Sequence, residues 1–167
     1  MMRFALPRRN FVLLTLVALA VVMAALSSGC TAESNAEMKT YAGINAIRTK
    51  AGLPPLVPDQ GLVRVARARS DDMAAKSYFG HMPPDGCNFV CIMDKLGVPH
   101  EWAGENIAWN NWDWNQTADV AVRMWNNSPP HMENIMNCHY TKFGTGVSKA
   151  ADGKIYYTMI FDGNANC

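Results

Sequence analysis

Apolar residues recur at helical spacing through the first two thirds of the chain. Tyr41, Ile44 and Ile47 lie three residues apart, which predicts an amphipathic helix over 37–51 that ends before Gly52. A second helix is predicted after Asp59, whose side chain suits the N-cap position. This second helix is predicted to run to about residue 78, and the same pattern predicts further helices over residues 88–96 and 117–125, and from Ser128-Pro129 to Met136.

The spacing changes from helical to alternating in the last third of the chain. Residues 143–148 and 154–161 are rich in β-branched and aromatic side chains, and Ala151-Asp152-Gly153 between them predicts a hairpin turn. Residues 102–109 also favour a strand. Several helices with about three antiparallel strands predict an α+β layered domain, in contrast to a parallel sheet of βαβ units.

The first thirty residues have the layout of an export signal. Arg3, Arg8 and Arg9 precede an apolar run over 11–26, and small residues then lead to Cys30. The run is short for a membrane span, which needs about 20 residues, although an uncleaved signal would also tether the protein. A cysteine at this position resembles the acylated cysteine of bacterial lipoproteins, and the paired arginines are similar to a twin-arginine signal.

Three segments follow from this layout. We expect residues 1–29 to be a signal peptide, residues 30–36 to be a lipidated cysteine and a polar tether, and residues 37–167 to be the folded domain. The domain would then lie outside the cytoplasm, held at the cell envelope by its lipid anchor. Removal of residues 1–29 lowers the formal net charge from +1 to −2, because they carry three arginines and no acidic residue. Without a basic surplus, nucleic acid is not expected as a partner.

Five cysteines in an exported chain indicate disulfide bonds. With Cys30 lipidated, four remain and three pairings are possible. We favour Cys87 with Cys91, and Cys138 with Cys167. A four-thiolate zinc site is the competing interpretation, but its ligands usually come as two close pairs, and the last two cysteines are distant in sequence.

Four short segments carry motifs in a fixed order from residue 42 to residue 161. They are Gly52-Leu53-Pro54-Pro55-Leu56 with Asp59 and Leu62; Met73 with Tyr78-Phe79-Gly80-His81; Gly104-Glu105-Asn106-Ile107-Ala108; and Trp125, Ser128-Pro129-Pro130-His131, Asn134-Ile135-Met136 with Phe143-Gly144-Thr145-Gly146-Val147. This ordered set resembles the bacterial branch of the CAP superfamily, which carries the SCP domain of cysteine-rich secretory, antigen 5 and pathogenesis-related proteins. The resemblance implies an α-β-α sandwich, with a small antiparallel sheet between helical layers and a large cleft.

The resemblance also implies a set of cleft residues. In many members of that superfamily two histidines and two glutamates line the cleft and bind a divalent metal such as zinc. On this chain His81 and His131 match the histidines, Glu105 matches the first glutamate, and Ser128 stands where the second would be. His139 lies in a segment similar to the animal and plant GHYTQ motif, but it is too close in sequence to the glycine-rich strand that follows.

His81, Glu105 and His131 are therefore the candidate metal ligands. Two imidazoles and a carboxylate suit Zn²⁺ or another divalent cation, and three protein ligands leave a position for water, whose pKa zinc lowers to about 7. Each residue also has a structural interpretation: the histidines as ordinary polar residues, and Glu105 as a hydrogen-bonding hub on a buried strand.

The tryptophans suggest a second place for a ligand. Trp102 and Trp125 are expected in the core, whereas Trp112 and Trp114 lie in the polar loop 110–116. Rings exposed there would form a ligand-binding surface, and packing onto the domain's own surface is the alternative.

The favoured functional hypothesis is a module of the cell envelope that is non-catalytic or binds metal weakly. It would recognise a glycan, peptide or lipid through its cleft and tryptophan loop. One alternative is a metal-assisted hydrolase acting on peptide or cell-wall material, and another is a carrier of lipid or sterol. A serine hydrolase is disfavoured because the chain has no G-x-S-x-G motif, and oxidised cysteines disfavour a cysteine protease.

Overall fold

The structure is a computed structural model that describes residues 32–166. The predicted signal peptide, Cys30 and Cys167 lie outside the described residues. Glu33–Cys167 forms one compact unit. Between residues 32 and 166, no helix is both long enough and apolar enough to span a membrane.

Five helices and four strands make up the described part of the chain. The helices are α1 (32–50), α2 (Gln60–Lys76), α3 (Phe89–Lys95), α4 (Thr117–Asn126) and α5 (Pro129–Met136). The strands are β1 (Val57–Pro58), β2 (Trp102–Asn110), β3 (Lys142–Lys149) and β4 (Ile155–Gly163).

Helix α1 begins earlier than the sequence pattern predicts. Residues 32–36, expected to be part of a polar tether, are helical, and Ala36 is buried in the core. The polar composition of this segment therefore reflects one exposed side of a helix.

The four strands form one sheet in the order β1-β3-β4-β2. Strand β4 lies between β2 and β3 and is antiparallel to both, as predicted, whereas β1 pairs with β3 in parallel. The parallel pair makes the sheet mixed. Strand β1 was not predicted because two residues, one of them Pro58, are too few to show an alternating pattern.

Helices cover both faces of this sheet, so the predicted α-β-α sandwich is confirmed. On one face α1, α4 and α5 pack against the side chains of Phe143, Tyr157 and Phe161. On the other face α2 and α3 pack against Ile160. Every residue of β4 is buried, because helices cover both of its faces.

Helix α2 lies unusually close to β3. Side chains at Gly144 and Gly146 would overlap the backbone of the helix, at Leu62–Val63 and at Ala66–Arg67. Ser70 then donates to the carbonyl of Gly146 at 2.9 Å. This contact fixes how α2 sits on the sheet and therefore where its polar side chains point.

The expectation that two tryptophans lie in the core is half right. Trp125 is fully buried and its indole N–H donates to the carbonyl of Ile107 at 3.0 Å. Trp102 is 52% exposed, so its assignment to the core is wrong. It is the first residue of β2, at the end of the sheet, where its ring stacks on His139.

Candidate functional site

An exposed histidine rests on a buried ion pair at the centre of the candidate site. Glu105 on β2 accepts a hydrogen bond from Arg69 Nε through Oε1 (2.8 Å), and its Oε2 lies 2.7 Å from His81 Nδ1. The side chains of Arg69 and Glu105 are 0% and 1% exposed, whereas that of His81 is 62% exposed. The first two residues therefore form a support beneath the third.

The local sequence explains why a charged pair is buried here. Arg69 follows Leu62, Val65 and Ala66 at helical spacing, so it lies on the face of α2 that packs on the sheet. Burial of the guanidinium is compensated by four acceptors, and Glu105 is one of them. A buried ion pair is tolerated only with such additional hydrogen bonds.

The pKa of His81 is raised above its ordinary value of 6.5. The hydrogen bond to Glu105 is the main cause, because it favours the protonated ring, and partial burial opposes it. Since Nδ1 faces Glu105 and the ring is largely exposed, Nε2 is the nitrogen that a ligand would meet.

His131 is held in a different way, at the start of α5. Its Nδ1 lies 2.7 Å from Ser128 Oγ. Ser128 occupies the N-cap position, as predicted, but its side chain makes no capping bond to the backbone. Burial lowers the pKa of His131, and the nearby charge of His81 lowers it further. That repulsion requires the two imidazoles to lie near enough to interact electrostatically.

Two asparagines join the strand of Glu105 to the helix of His131, and neither was predicted from the sequence to have a role there. Asn106 donates to the carbonyl of His131 (3.0 Å), and Asn134 donates to Asn106 Oδ1 (2.8 Å) and the carbonyl of Glu105 (3.3 Å). Both residues lie within the motif segments. Their side-chain amides can donate and accept hydrogen bonds at once, and this property was the feature of the sequence that could have indicated a linking role.

The geometry does not suit Glu105 as a direct metal ligand beside the two histidines. Within residues 32–166, no group of three or more His, Cys, Asp or Glu side chains is arranged to hold a metal ion. Both oxygens of Glu105 are engaged by Arg69 and His81, and its side chain is buried. The chemistry of the imidazoles fits zinc, and a carboxylate that orients a ligating histidine is common at such sites. The three-residue ligand set itself stays a prediction.

The tryptophan loop lies away from this site. Glu105 and Asn110 are five positions apart on β2, about 16 Å at the usual rise per residue. Trp112 is 52% exposed, as expected for a binding surface, whereas Trp114 packs against the core beneath Lys149. The structure does not bring these rings to His81, so a role for them in ligand binding stays a separate prediction.

His139 and the cysteines make contacts that stabilise the fold. His139 stacks on Trp102 with ring centroids 4.2 Å apart and contacts the carbonyl of Ala165 through Nδ1. Cys87 and Cys91 form the predicted disulfide, which is incompatible with a four-thiolate zinc site. Cys138 is also disulfide-bonded, and its pairing with Cys167 stays a prediction because that residue lies outside the described range.

Comparison with known proteins identifies the class to which this fold and site belong. Residues 41–161 match the Cysteine-rich secretory protein family, CAP. The chain therefore belongs to the CAP family.

Individual relatives agree with this assignment. The chain is 39% identical over 110 residues to the uncharacterized protein YkwD of Bacillus subtilis, covering 66% of this chain and 41% of that protein. It is 36% identical over 117 residues to the uncharacterized membrane protein YlbC of the same organism, covering 70% and 31%. Among solved structures, an extracellular protein containing a SCP domain from Bacillus anthracis superposes with a TM-score of 0.69 at 30% identity, covering 79% of this chain and 41% of that one. The chain thus matches less than half of each of these relatives.

Proposed function

We propose that this protein is an exported, lipid-anchored CAP-domain protein of the cell envelope that binds a ligand at the site of His81 and His131. A divalent cation such as Zn²⁺ is the ligand that the two imidazoles suit best. The observation that carries the proposal is the exposed imidazole of His81 in contact with the buried Glu105–Arg69 ion pair. Charged residues are rarely buried, and a surface histidine with no role in binding does not need a buried ion pair to hold it.

Export is supported by the arginine-rich and apolar N-terminal pattern and by the cysteines. The disulfide between Cys87 and Cys91 suits an oxidising compartment. The similar protein from Bacillus anthracis is described as extracellular.

In this proposal the two histidines would hold the cation through Nε2. Glu105 would orient His81, and Ser128 would orient His131 through the same ring nitrogen, Nδ1. A bound cation would supply Lewis acidity. Glu105 and Ser128 would orient the two histidines, and the Glu105–Arg69 pair would support His81 from below. These roles are sufficient for metal binding, but they do not by themselves make the protein a hydrolase.

Calorimetric titration of residues 31–167 with zinc tests this proposal. We expect micromolar or tighter binding, equivalent to about −8 kcal/mol or more, that the His81→Ala/His131→Ala variant loses. The other two histidines provide a matched control, since His100→Ala/His139→Ala should bind zinc as the wild type does. Circular dichroism should show that all three proteins are folded. Absence of zinc binding in the folded wild type would contradict the metal part of the proposal.

A cavity elsewhere in the domain favours a second candidate function, binding of a single-chain anionic lipid. The cavity measures about 480 Å³ and its lining comes from α1, α5 and the end of α4: Ala46, Ile47, Lys50, Ala51, Asn126, Met132 and Met136. Apolar side chains suit an acyl chain, the flexible methionines adapt to its shape, and Lys50 suits a carboxylate head group.

Organic extraction of the protein purified from membranes tests the lipid hypothesis. We expect a fatty acid to be extracted from the wild type and to be lost from Met136→Glu, which places a like charge in the cavity. Met124→Glu is the matched control, because Met124 is exposed on α4 and does not line the cavity. An extract without lipid, or equal lipid in both variants, would contradict this candidate.

A further inference from the structure

Arg69 makes four polar contacts around the candidate site, although it is fully buried. Besides Glu105, its guanidinium donates to the hydroxyl of Tyr78 at 2.6 Å and to the carbonyls of Gly80 and His81 at 2.8 and 3.2 Å. Tyr78 in turn donates to Asp72 Oδ2 at 2.7 Å. One side chain thus holds both the carboxylate that faces His81 and the backbone that carries His81.

The chemistry of these groups determines the direction of every hydrogen bond in the series. An arginine only donates hydrogen bonds, and an ionised carboxylate only accepts them. Glu105 therefore accepts from Arg69 at one oxygen and from His81 at the other. In a neutral ring, His81 must then carry its proton on Nδ1 and its lone pair on Nε2.

The position of the ring is set by the same residue. The loop after α2 reaches His81 from Ser77, and Arg69 contacts the carbonyls of Gly80 and His81 within it. Because the planar guanidinium holds its donors in a rigid fork, the distance between this backbone and Glu105 is constrained by one group. Lysine, with a single point charge, could not make the same set of contacts.

We propose that Arg69 is the positioning residue of the site, because it holds both the side chain of residue 105 and the backbone of His81 so that residue 105 faces Nδ1 of His81 and Nε2 points away from it. The proposal deepens the proposed function, since it explains why Nε2 of His81 would be the nitrogen that meets a cation. It makes a claim about the protein without metal as well, and that claim can be measured separately.

The variant Glu105→Gln tests the direction of the hydrogen bonds. With Arg69 present, the amide oxygen should face the guanidinium and the amide NH₂ should face His81. His81 Nδ1 must then accept, so its proton should move to Nε2. We expect ¹⁵N NMR of the full metal-free chain in detergent micelles, at alkaline pH where the ring is neutral, to show Nδ1–H in the wild type and Nε2–H in Glu105→Gln.

The variant Arg69→Met/Glu105→Gln tests whether Arg69 is responsible. It removes the charged pair together, which avoids leaving one buried charge without a partner. Without the guanidinium the amide can take either orientation, so we expect His81 to show both tautomers. The same tautomer in the double variant as in Glu105→Gln would overturn the proposal, as would Nδ1–H in Glu105→Gln.

Arg67 provides a matched control on the same helix. It also pairs with a glutamate, Glu37, through two nitrogens at 2.8 and 2.6 Å, but it does not contact the loop of His81. We expect Arg67→Met/Glu105→Gln to show the same Nε2–H tautomer of His81 as Glu105→Gln. A changed tautomer in this control would indicate a general effect of losing an arginine pair and would also overturn the proposal.

Zinc titration of the same variants separates this proposal from the proposed function. If the wild type binds zinc, Glu105→Gln should weaken binding by tenfold or more, because Nε2 must first lose its proton. If the wild type does not bind zinc, the proposed function fails, whereas the tautomer measurements still decide the role of Arg69.

Discussion

His81 and His131 interact electrostatically, but their surroundings shift their pKa values in opposite directions. A buried carboxylate contacts Nδ1 of His81 and favours the protonated ring. A serine hydroxyl contacts Nδ1 of His131 and supplies no charge, so burial and repulsion lower the pKa of that ring. Serine at position 128, where the family resemblance implies a second glutamate, thus makes the two histidines unequal.

This difference predicts opposite pH dependences for two single variants. Because the pKa of folded His81 is raised above 6.5, its contribution to the free energy of unfolding is present below pH 6.5 and is lost as the pH rises through the folded-state pKa. His81→Gln should therefore destabilise the protein most at acidic pH. The contribution is modest, because the ring is largely exposed.

For His131 the sign is reversed. Its folded-state pKa lies below 6.5, so the unfolded chain binds more protons and the wild type loses stability as the pH falls. His131→Gln should remove part of that loss. Urea unfolding from about pH 5 to pH 8 measures both effects, and equal pH slopes in the two variants would contradict the structure of the site.

Among the helices and strands, α2 has two roles: it packs closely on β3 and it carries Arg69 of the candidate site. Its close approach to β3, which requires Gly144 and Gly146, places Arg69 over Glu105. Helix α5 is attached to β2 in a different way, through the side chains of Asn106 and Asn134. The two histidines are therefore positioned relative to β2 by two independent helix–strand contacts.

The contact of α2 with β3 predicts a large effect for a small substitution. Gly146→Ala should lower the free energy of unfolding by about 3 kcal/mol, because the added methyl group meets helix backbone that cannot yield. Gly80→Ala should have little effect, since the nearest atom to an added Cβ there is 3.9 Å away. Urea unfolding compares the two, and similar losses in both variants would contradict the close contact.

Most elements could be predicted from local pattern, and the exceptions have physical causes. Helices α2 to α5 and the three longer strands could be predicted from the spacing of their apolar residues. Each helix buries one continuous face, and a strand buries one face or both. Strand β1 has only two residues, and its formation depends on pairing with Lys142 and Phe143 far along the chain. The exposure of Trp102 depends on the end of the sheet, which no local pattern marks.

At the scale of the whole molecule, the layered domain would be attached to a membrane through one residue. The sequence predicts acylation of Cys30, and the competing interpretation is an uncleaved membrane anchor.

Substitution of Cys30 distinguishes the two interpretations. In bacterial cells that carry out lipidation, the wild-type chain should incorporate labelled palmitate and sediment with membranes. Cys30→Ala should lose the label, because the acylated thiol is absent, whereas Ser28→Ala should keep it. If Cys30→Ala sediments with membranes as the wild type does, an uncleaved anchor would replace the lipid anchor in the proposal.

The candidate site shows the division between sequence and structure most clearly. The ordered motifs nominated His81, Glu105, His131 and the altered position Ser128 from the sequence alone. They did not identify Arg69 as a partner of Glu105. That partnership joins a helix to a strand 36 positions away.

The sequence by itself determined the fold class and the order of the main elements, and it named the candidate residues of the site, because periodicity and short motifs are local properties. Only the tertiary structure decided which atoms of those residues are available. It engages both oxygens of Glu105, leaves Nε2 of His81 for a ligand, and separates the tryptophan loop from the histidines. Availability depends on hydrogen bonds between distant segments, and these form only when α2, β2 and α5 pack together.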